Sequence, residues 1–289
     1  MEHIKKAIER ARQERQHLSL QAQPPPANGA SPHGASANGE ASQAPAPATA
    51  APAAPLPPAP IEPMDRHHLQ AMRVVAHEAA AVHTSHYDML RTQVLQRMDA
   101  ASCQTLAVTS PRSACGKTLT AINLALSMAR QSEKSVLLVD LDLRKPQVGR
   151  YLGLTPAAGI HDVIAGTCPG SEAMLVPDVC GHRLAVIAAP RSVPSPTEHL
   201  VSSAMRATLA RLKADHGRRI IIFDLPPMLS SDDFLAFLPQ VDCALLVASS
   251  GESTVQDIAE CERLIDPDKF LGCVLNKVTE TGDAYHYYG

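Results

Sequence analysis

Apolar positions along the chain fall into short unbroken runs separated by stretches with helical spacing. The first run opens TLAVTSPRSACGKTLTAINLALSMA at 105–129 and ends at Ser110. A loop of small residues follows, and beyond Gly116-Lys117-Thr118 the residues Leu119, Ile122, Leu126 and Ala129 recur at the spacing of one helix face. Further apolar runs lie at 136–140, 184–190, 219–227, 243–249 and 271–277. Helical patterns separate them; 198–213, for example, puts Val201, Met205, Leu209 and Leu212 on one face. Continuously apolar strands alternating with such helices predict a doubly wound α/β domain, a mostly parallel sheet with helices on both faces, over residues 66–280.

Upstream the pattern changes twice. Residues 66–99 are helical in two pieces, the second carrying Met89, Leu90, Val94 and Met98 at helical spacings. Residues 21–65 are rich in Pro, Ala, Ser, Gly and Gln, with Leu56 and Ile61 as the large aliphatic exceptions, and predict a disordered linker. Before it, Ile4, Ala7, Ile8, Ala11 and Leu18 share a narrow apolar stripe, which predicts a short amphipathic helix over 1–20. Such a helix is either a solvated surface helix or a docking element for a partner, with weak membrane contact a third reading. Residues 281–289 form a polar tail with three tyrosines.

Composition narrows the function. A formal net charge of -3 provides no basic excess to displace counterions, which argues against nucleic acid as the primary partner. Seven scattered cysteines without a CxxC pair fit reduced thiols, and none is assigned to a metal. His67, His68, His77, His83 and His86 show no repeated i, i+4 pair, so they are read as solvated or packed. No apolar run approaches the ~20 residues that span a bilayer, and MEHIKKAIERARQER lacks the apolar core of a signal peptide. The expectation is a cytoplasmic protein.

The strand, loop and helix at 105–129 carry the chemistry. A helix start offers free backbone N–H groups and the positive end of its dipole to a polyphosphate. Lys117 would reach the β and γ phosphates, and the Thr118 hydroxyl would coordinate Mg²⁺. The usual GxxxxGK[ST] pattern wants glycine where Pro111 stands. A second site supports the first: VLLVDLDLRKP at 136–146 ends a strand in Asp140 and Asp142, with Arg144 beyond. One carboxylate can serve the metal and the other can act as base; alternatively the pair caps Lys145 or a loop and Arg144 pairs with a surface acid. Asp224, after Ile220-Ile221-Ile222-Phe223, suits an outer carboxylate of the Mg²⁺ site. Asn276 would either contact an adenine edge or form a turn.

Together these residues resemble the bacterial tyrosine kinases (BY-kinases), P-loop relatives of the cell-division and plasmid-partition ATPases. The resemblance covers about residues 85–289 and rests on SPRSACGKTLTAINLA, VLLVDLDLRKP, GIHDVIAG, SPTEHLVSSAM, IIIFDLPPML, LGCVLNKV and the tyrosines of AYHYYG. The opening helix and Pro/Ala linker resemble the stand-alone cytoplasmic members of exopolysaccharide loci. The resemblance implies an ATP-dependent protein tyrosine autokinase acting in exopolysaccharide or capsule polymerisation and export, with ATP/ADP and Mg²⁺. It implies that Ser113, Ala114, Cys115, Gly116, Lys117, Thr118, Leu119 and Asn276 bind nucleotide and that Thr118, Asp140 and Asp224 serve the metal. Lys117, Asp140 and Asp142 would be catalytic, Asp140 as base and Asp142 assisting, with Tyr285, Tyr287 and Tyr288 phosphorylated in trans by a second copy. The implied partners are an inner-membrane polysaccharide chain-length-determinant (co-polymerase) protein, which would recruit the chain to the membrane, and a cognate tyrosine phosphatase.

Two stretches depart from the family pattern, and one further position bears on a different family. The family loop commonly reads Pro-Gly where Ser113-Ala114 stand, and if position 114 needs positive φ, Ala costs on the order of 1 kcal/mol there. The family's Glu-x-x-Arg-x-x-Arg oligomerisation segment aligns with Ser85, Asp88 and Arg91, reversing the charge at the middle position. Arg112 takes the place of the partition ATPases' extra lysine. The alternative functions are therefore a nucleotide-sensing regulatory subunit with little or no kinase activity, or a partition-type ATPase.

Overall fold

The computed structural model describes residues 61–78, 83–131, 134–179, 184–214 and 219–278. The expected opening helix, the linker up to residue 60 and the tail with Tyr285, Tyr287 and Tyr288 lie outside the described residues. The strands are β1 (Ile61–Glu62), β2 (Thr105–Thr109), β3 (Val136–Asp140), β4 (Val176–Pro177), β5 (Leu184–Ile187), β6 (Ile220–Asp224), β7 (Cys243–Ser249) and β8 (Phe270–Asn276). The α-helices are α1 (Arg66–Ala71), α2 (Thr84–Ala100), α3 (Lys117–Gln131), α4 (Val148–Leu152), α5 (Ile160–Ile164), α6 (Gly170–Ala173), α7 (Pro196–Leu200), α8 (Ser203–Ala214), α9 (Asp233–Phe237) and α10 (Val255–Leu264).

Six strands make one sheet in the order β5-β3-β6-β2-β7-β8, and every neighbouring pair is parallel. The sequence reason is the apolar runs: each residue of β2, β3 and β6 is buried, as it must be in a sheet covered on both faces. Each Leu, Ile or Val so buried contributes about 1.5–3 kcal/mol of transfer free energy. Because β6 inserts between β2 and β3, the C-terminal ends of three site-bearing strands meet, and Asp140 lies directly across the β3/β6 pair from Asp224.

The helix after the phosphate loop is buried more completely than its spacing predicts. Ala121, Ile122, Leu124, Ala125, Leu126, Met128 and Ala129 are all essentially inaccessible. One face of α3 lies on the sheet, and Leu69, Val74, Ala76, Val94 and Met98 from the preceding segment cover the other. Asn123 of α3 fixes that segment by accepting the backbone N–H of Val75 (2.8 Å) and of Ala76 (2.9 Å). The start of the segment is anchored too, because Ile61–Glu62, placed by composition in the linker, pairs in parallel with Val176–Pro177.

Two local expectations are corrected. The helix expected over 198–213 is two helices, α7 and α8, because the Ser202 hydroxyl accepts the Met205 N–H (3.0 Å) and starts a new helix there. Val201 falls in the break and is exposed instead of sharing the apolar face of Met205, Leu209 and Leu212. On α2, Val94 and Met98 are buried as expected, whereas Met89 is exposed. The helix turns another way because Asp88 must face α3: its carboxylate accepts hydrogen bonds from Arg91 (2.9 Å), Ser127 (2.6 Å) and Arg130 (2.5 Å). The charge-reversed middle position of the oligomerisation segment is thus spent within the chain.

Of the upstream histidines, His67, His83 and His86 are exposed. His77 is buried, which lowers its pKa, and the His68 ring bonds the Arg150 carbonyl (2.8 Å). Among the described residues no three His, Cys, Asp or Glu side chains form a ready metal cage.

Candidate active site

The sequence from Ser110 to Thr118 folds as a loop because two of its residues adopt positive φ, Ala114 at 66° and Gly116 at 88°. Gly116 is required on two grounds, since a Cβ there would also lie 2.1 Å from the Asn276 amide nitrogen. The loop base is tied to the chain after β6: Met228 N–H donates to the Ser110 carbonyl (2.9 Å) and Leu229 N–H to that of Pro111 (3.2 Å). Its rim is tied elsewhere. Arg112 makes a two-pronged ion pair with Asp257 (3.1 and 2.8 Å), Cys115 Sγ contacts Ser253 Oγ (3.5 Å), and Asn276 Nδ2 donates to the Cys115 carbonyl (2.9 Å).

Helix α3 then starts with Lys117 and Thr118 beside three carboxylates. Lys117 Nζ lies 2.8 Å from Asp142 and 3.3 Å from Asp224, and the Thr118 hydroxyl donates to Asp224 at 2.6 Å. Asp140 and Asp224 are wholly inaccessible. Burial raises the Asp140 pKa well above the ordinary carboxyl value, and the charge of Asp224 across the strand pair raises it further. Burial also raises Asp224, while Lys117 and Thr118 oppose that shift without cancelling it. For Lys117, burial works against the charge, but Asp224 and Asp142 outweigh it and the pKa is raised. One ammonium among three carboxylates leaves surplus negative charge. This donor set of hydroxyl and carboxylate oxygens suits a hard divalent cation such as Mg²⁺, which would supply the missing positive charge.

Asp140 and Asp142 do two things at once. Asp140 accepts the backbone N–H groups of Asp142 (3.2 Å), Gln147 (3.0 Å) and Val148 (3.0 Å), so it closes its own turn and caps α4. Asp142 accepts the Lys145 N–H (3.1 Å) with one oxygen and faces Lys117 with the other. Capping of the loop and contact with the lysine therefore coexist. Arg144 pairs chiefly with a buried acid: Asp233 receives it at 2.6 and 3.1 Å and also accepts the Thr197 hydroxyl (2.5 Å), while the exposed Asp232 lies farther off at 3.8 Å.

Of the residues read from sequence, Lys117, Thr118, Asp142 and Asp224 are in mutual contact, and Asp140 borders them. Ser113 and Ala114 form the exposed tip of the loop, Leu119 is half-buried, and Asn276 is brought to the loop itself. Sequence reading missed Ser253, Asp257 and Asp233. Thr254-x-x-Asp257 is a capping box that marks the start of α10, where each residue's side chain accepts the other's N–H, but nothing in it reveals Arg112 as a second partner.

No family model matches the chain. Tyrosine-protein kinase YwqD of Bacillus subtilis is 29% identical over 215 residues, covering 73% of this chain and 89% of that protein. Tyrosine-protein kinase CpsD of Streptococcus pneumoniae serotype 4 is 28% identical over 203 residues, covering 69% and 86%. The solved kinase domain of the Escherichia coli tyrosine kinase ETK superposes with a TM-score of 0.59 at 28% identity, covering 69% of this chain and 77% of that one. The chain is thus similar, in sequence and fold, to proteins named as bacterial tyrosine kinases. The chimerical protein CapA2B2, at TM-score 0.66 and 22% identity over 78% of this chain and 96% of that one, has the same fold. In this chain the loop residue Ala114 stands in the left-handed region.

Proposed function

We propose that the chain is an ATP-dependent protein tyrosine autokinase acting in exopolysaccharide or capsule polymerisation and export. The observation that carries the reading is Lys117, held between Asp142 and Asp224 with Thr118 on the same Asp224 carboxylate, at the start of the helix that follows the loop, a position suited to a polyanion. On nucleotide binding Lys117 moves from the carboxylates to the phosphates, and Thr118 with Asp224 and Asp140 would hold Mg²⁺. That cation, when bound, supplies charge neutralisation for the phosphates.

A tyrosine hydroxyl attacks the γ phosphorus, the bond to the ADP oxygen breaks, and the phenolic proton passes to a carboxylate. Geometry favours Asp142 for that proton. Both oxygens of Asp140 already receive backbone N–H groups, whereas the Asp142 oxygen that faces Lys117 is freed when the lysine turns to phosphate. Asp140 then maintains the turn and stands on the metal side beside Asp224. Tyr285, Tyr287 and Tyr288 are the acceptors, offered by a second copy. A membrane co-polymerase as recruiter and a phosphatase as antagonist belong to the same reading and rest on the family resemblance. Among the described residues no helix is long and apolar enough to cross a membrane.

The second reading is a nucleotide sensor that transfers no phosphate, and the strained Ala114 favours it by disfavouring a tight phosphate cradle. A partition-type ATPase is less well supported, because Arg112, at that family's lysine position, is engaged by Asp257 within the chain. Radiolabelled ATP with Mg²⁺, alone and with the cytoplasmic segment of a co-polymerase, separates the first two. The kinase labels the protein and Lys117→Met abolishes the label by at least ~100-fold. ATP binding demonstrated by calorimetry with no label under either condition would leave the sensor.

A further inference from the structure

The phosphate loop needs positive φ at two positions and has glycine at only one of them, so something other than glycine must hold Ala114 at 66°. Left to itself, an alanine there favours ordinary backbone conformations over the left-handed one by roughly five-fold or more. The loop does not relax because side chains on either side of Ala114 are fastened to a different layer of the molecule. Two residues before it, Arg112 is gripped by Asp257 through two hydrogen bonds (3.1 and 2.8 Å). One residue after it, Cys115 is held at its sulfur by Ser253 (3.5 Å) and at its carbonyl by Asn276 (2.9 Å). Ser253 and Asp257 flank and open α10, and Asp257 is fixed in place by its capping box with Thr254. Ser253 is fixed as well, accepting the Ser249 N–H at 2.9 Å.

We infer that Asp257, acting through Arg112, is a positioning residue that presets the nucleotide loop and stands in for the glycine missing at position 114. The inference rests on the reading of 110–118 as a phosphate loop and adds how this chain keeps that loop competent. Asp257 is itself nearly inaccessible (side chain 6%), whereas Arg112 is 65% exposed, so the buried acid is the fixed end and the arginine the tether. Any movement that pulled the start of α10 away from the loop would release Ala114 from the left-handed region, which makes this contact a control point for nucleotide affinity.

The test combines Asp257→Asn, Arg112→Gln and Ala114→Gly in the full chain. It reads ADP dissociation constants by calorimetry and amide exchange over 112–118 in the nucleotide-free protein. Asp257→Asn keeps a capping oxygen for α10, so a normal melting temperature reports that the helix is intact. The expected result is a loss of ADP affinity of about five-fold in Asp257→Asn and in Arg112→Gln, no further loss when both are combined, and faster exchange of the loop amides in each. Adding Ala114→Gly to Asp257→Asn restores affinity to within about two-fold of the wild type, and the gain exceeds that of Ala114→Gly in the wild-type background. Three outcomes overturn the inference: unchanged affinity and exchange in Asp257→Asn; loss in Arg112→Gln alone, which would mean that Arg112 touches the nucleotide directly; or an equal gain from Ala114→Gly in both backgrounds. A wild type that binds no ADP fails the phosphate-loop reading instead, and the exchange data still decide whether Asp257 orders the loop.

Discussion

The two turns that frame the site are held in opposite ways. The turn after β3 is folded largely from within: the backbone N–H groups that Asp140 and Asp142 accept come from residues at most eight positions away, even though Asp142 also faces Lys117 and Arg144 reaches Asp233. The loop after β2 makes its defining side-chain contacts with residues more than a hundred positions away, to Ser253, Asp257 and Asn276. One turn is built to be rigid and to present carboxylates. The other is held in a strained form by contacts to segments distant in sequence.

This contrast is broken most strongly at Asp140. Asp140→Ala would leave the N–H groups of Asp142, Gln147 and Val148 buried without their acceptor, and a loss of about 2–4 kcal/mol in stability is expected, measured by denaturant or thermal unfolding. Asp140→Asn, which keeps one accepting oxygen, would lose roughly half of that. Next is Gly116→Ala, which keeps the global melting temperature to within a few degrees but lowers ADP affinity by more than about ten-fold. Its φ of 88° and the 2.1 Å approach of Asn276 both oppose a Cβ, so adding Asn276→Ala recovers only the steric part. Asn276→Ala alone removes one neutral hydrogen bond, worth about 0.5–1.5 kcal/mol, and weakens nucleotide binding two- to ten-fold with little effect on folding.

The smallest effect is one of pH. Hydrogen bonding to Arg112 outweighs burial and holds Asp257 at about 2, below the ordinary 3.8. Because the folded-state pKa is the lower one, the contribution of this pair is complete above about pH 4 and is lost as pH falls toward about 2. Amide exchange on the loop, corrected for its intrinsic pH dependence, should therefore rise through that window in the wild type and stay flat in Asp257→Asn.

The same contrast explains what could be read from the sequence. The six-stranded parallel sheet was legible because its strands are unbroken apolar runs. Lys117, Thr118, Asp140, Asp142 and Asp224 were legible because the site-forming positions of such a sheet are its strand ends and the helix start that follows. The grip of Asp257 on Arg112 was not legible, since the partners are 145 residues apart and each has a sufficient local explanation, a loop residue and a cap. The break at Val201-Ser202 was hidden by apolar spacing that runs through it, although a serine hydroxyl decides the helix start. Nor did α3 betray that a second layer covers it, because amphipathic spacing identifies one buried face and leaves open what meets the other.

The most direct measurement is phosphate mapping. Purified chain is incubated with Mg-ATP, with and without a co-polymerase segment, and the peptide containing Tyr285, Tyr287 and Tyr288 is sequenced by mass spectrometry, alongside Asp142→Asn and Lys117→Met. Phosphotyrosine on that peptide, lost in both variants while Asp142→Asn still binds ATP, is the predicted result. Wild-type chain that binds ATP yet carries no phosphotyrosine under either condition would contradict the kinase assignment.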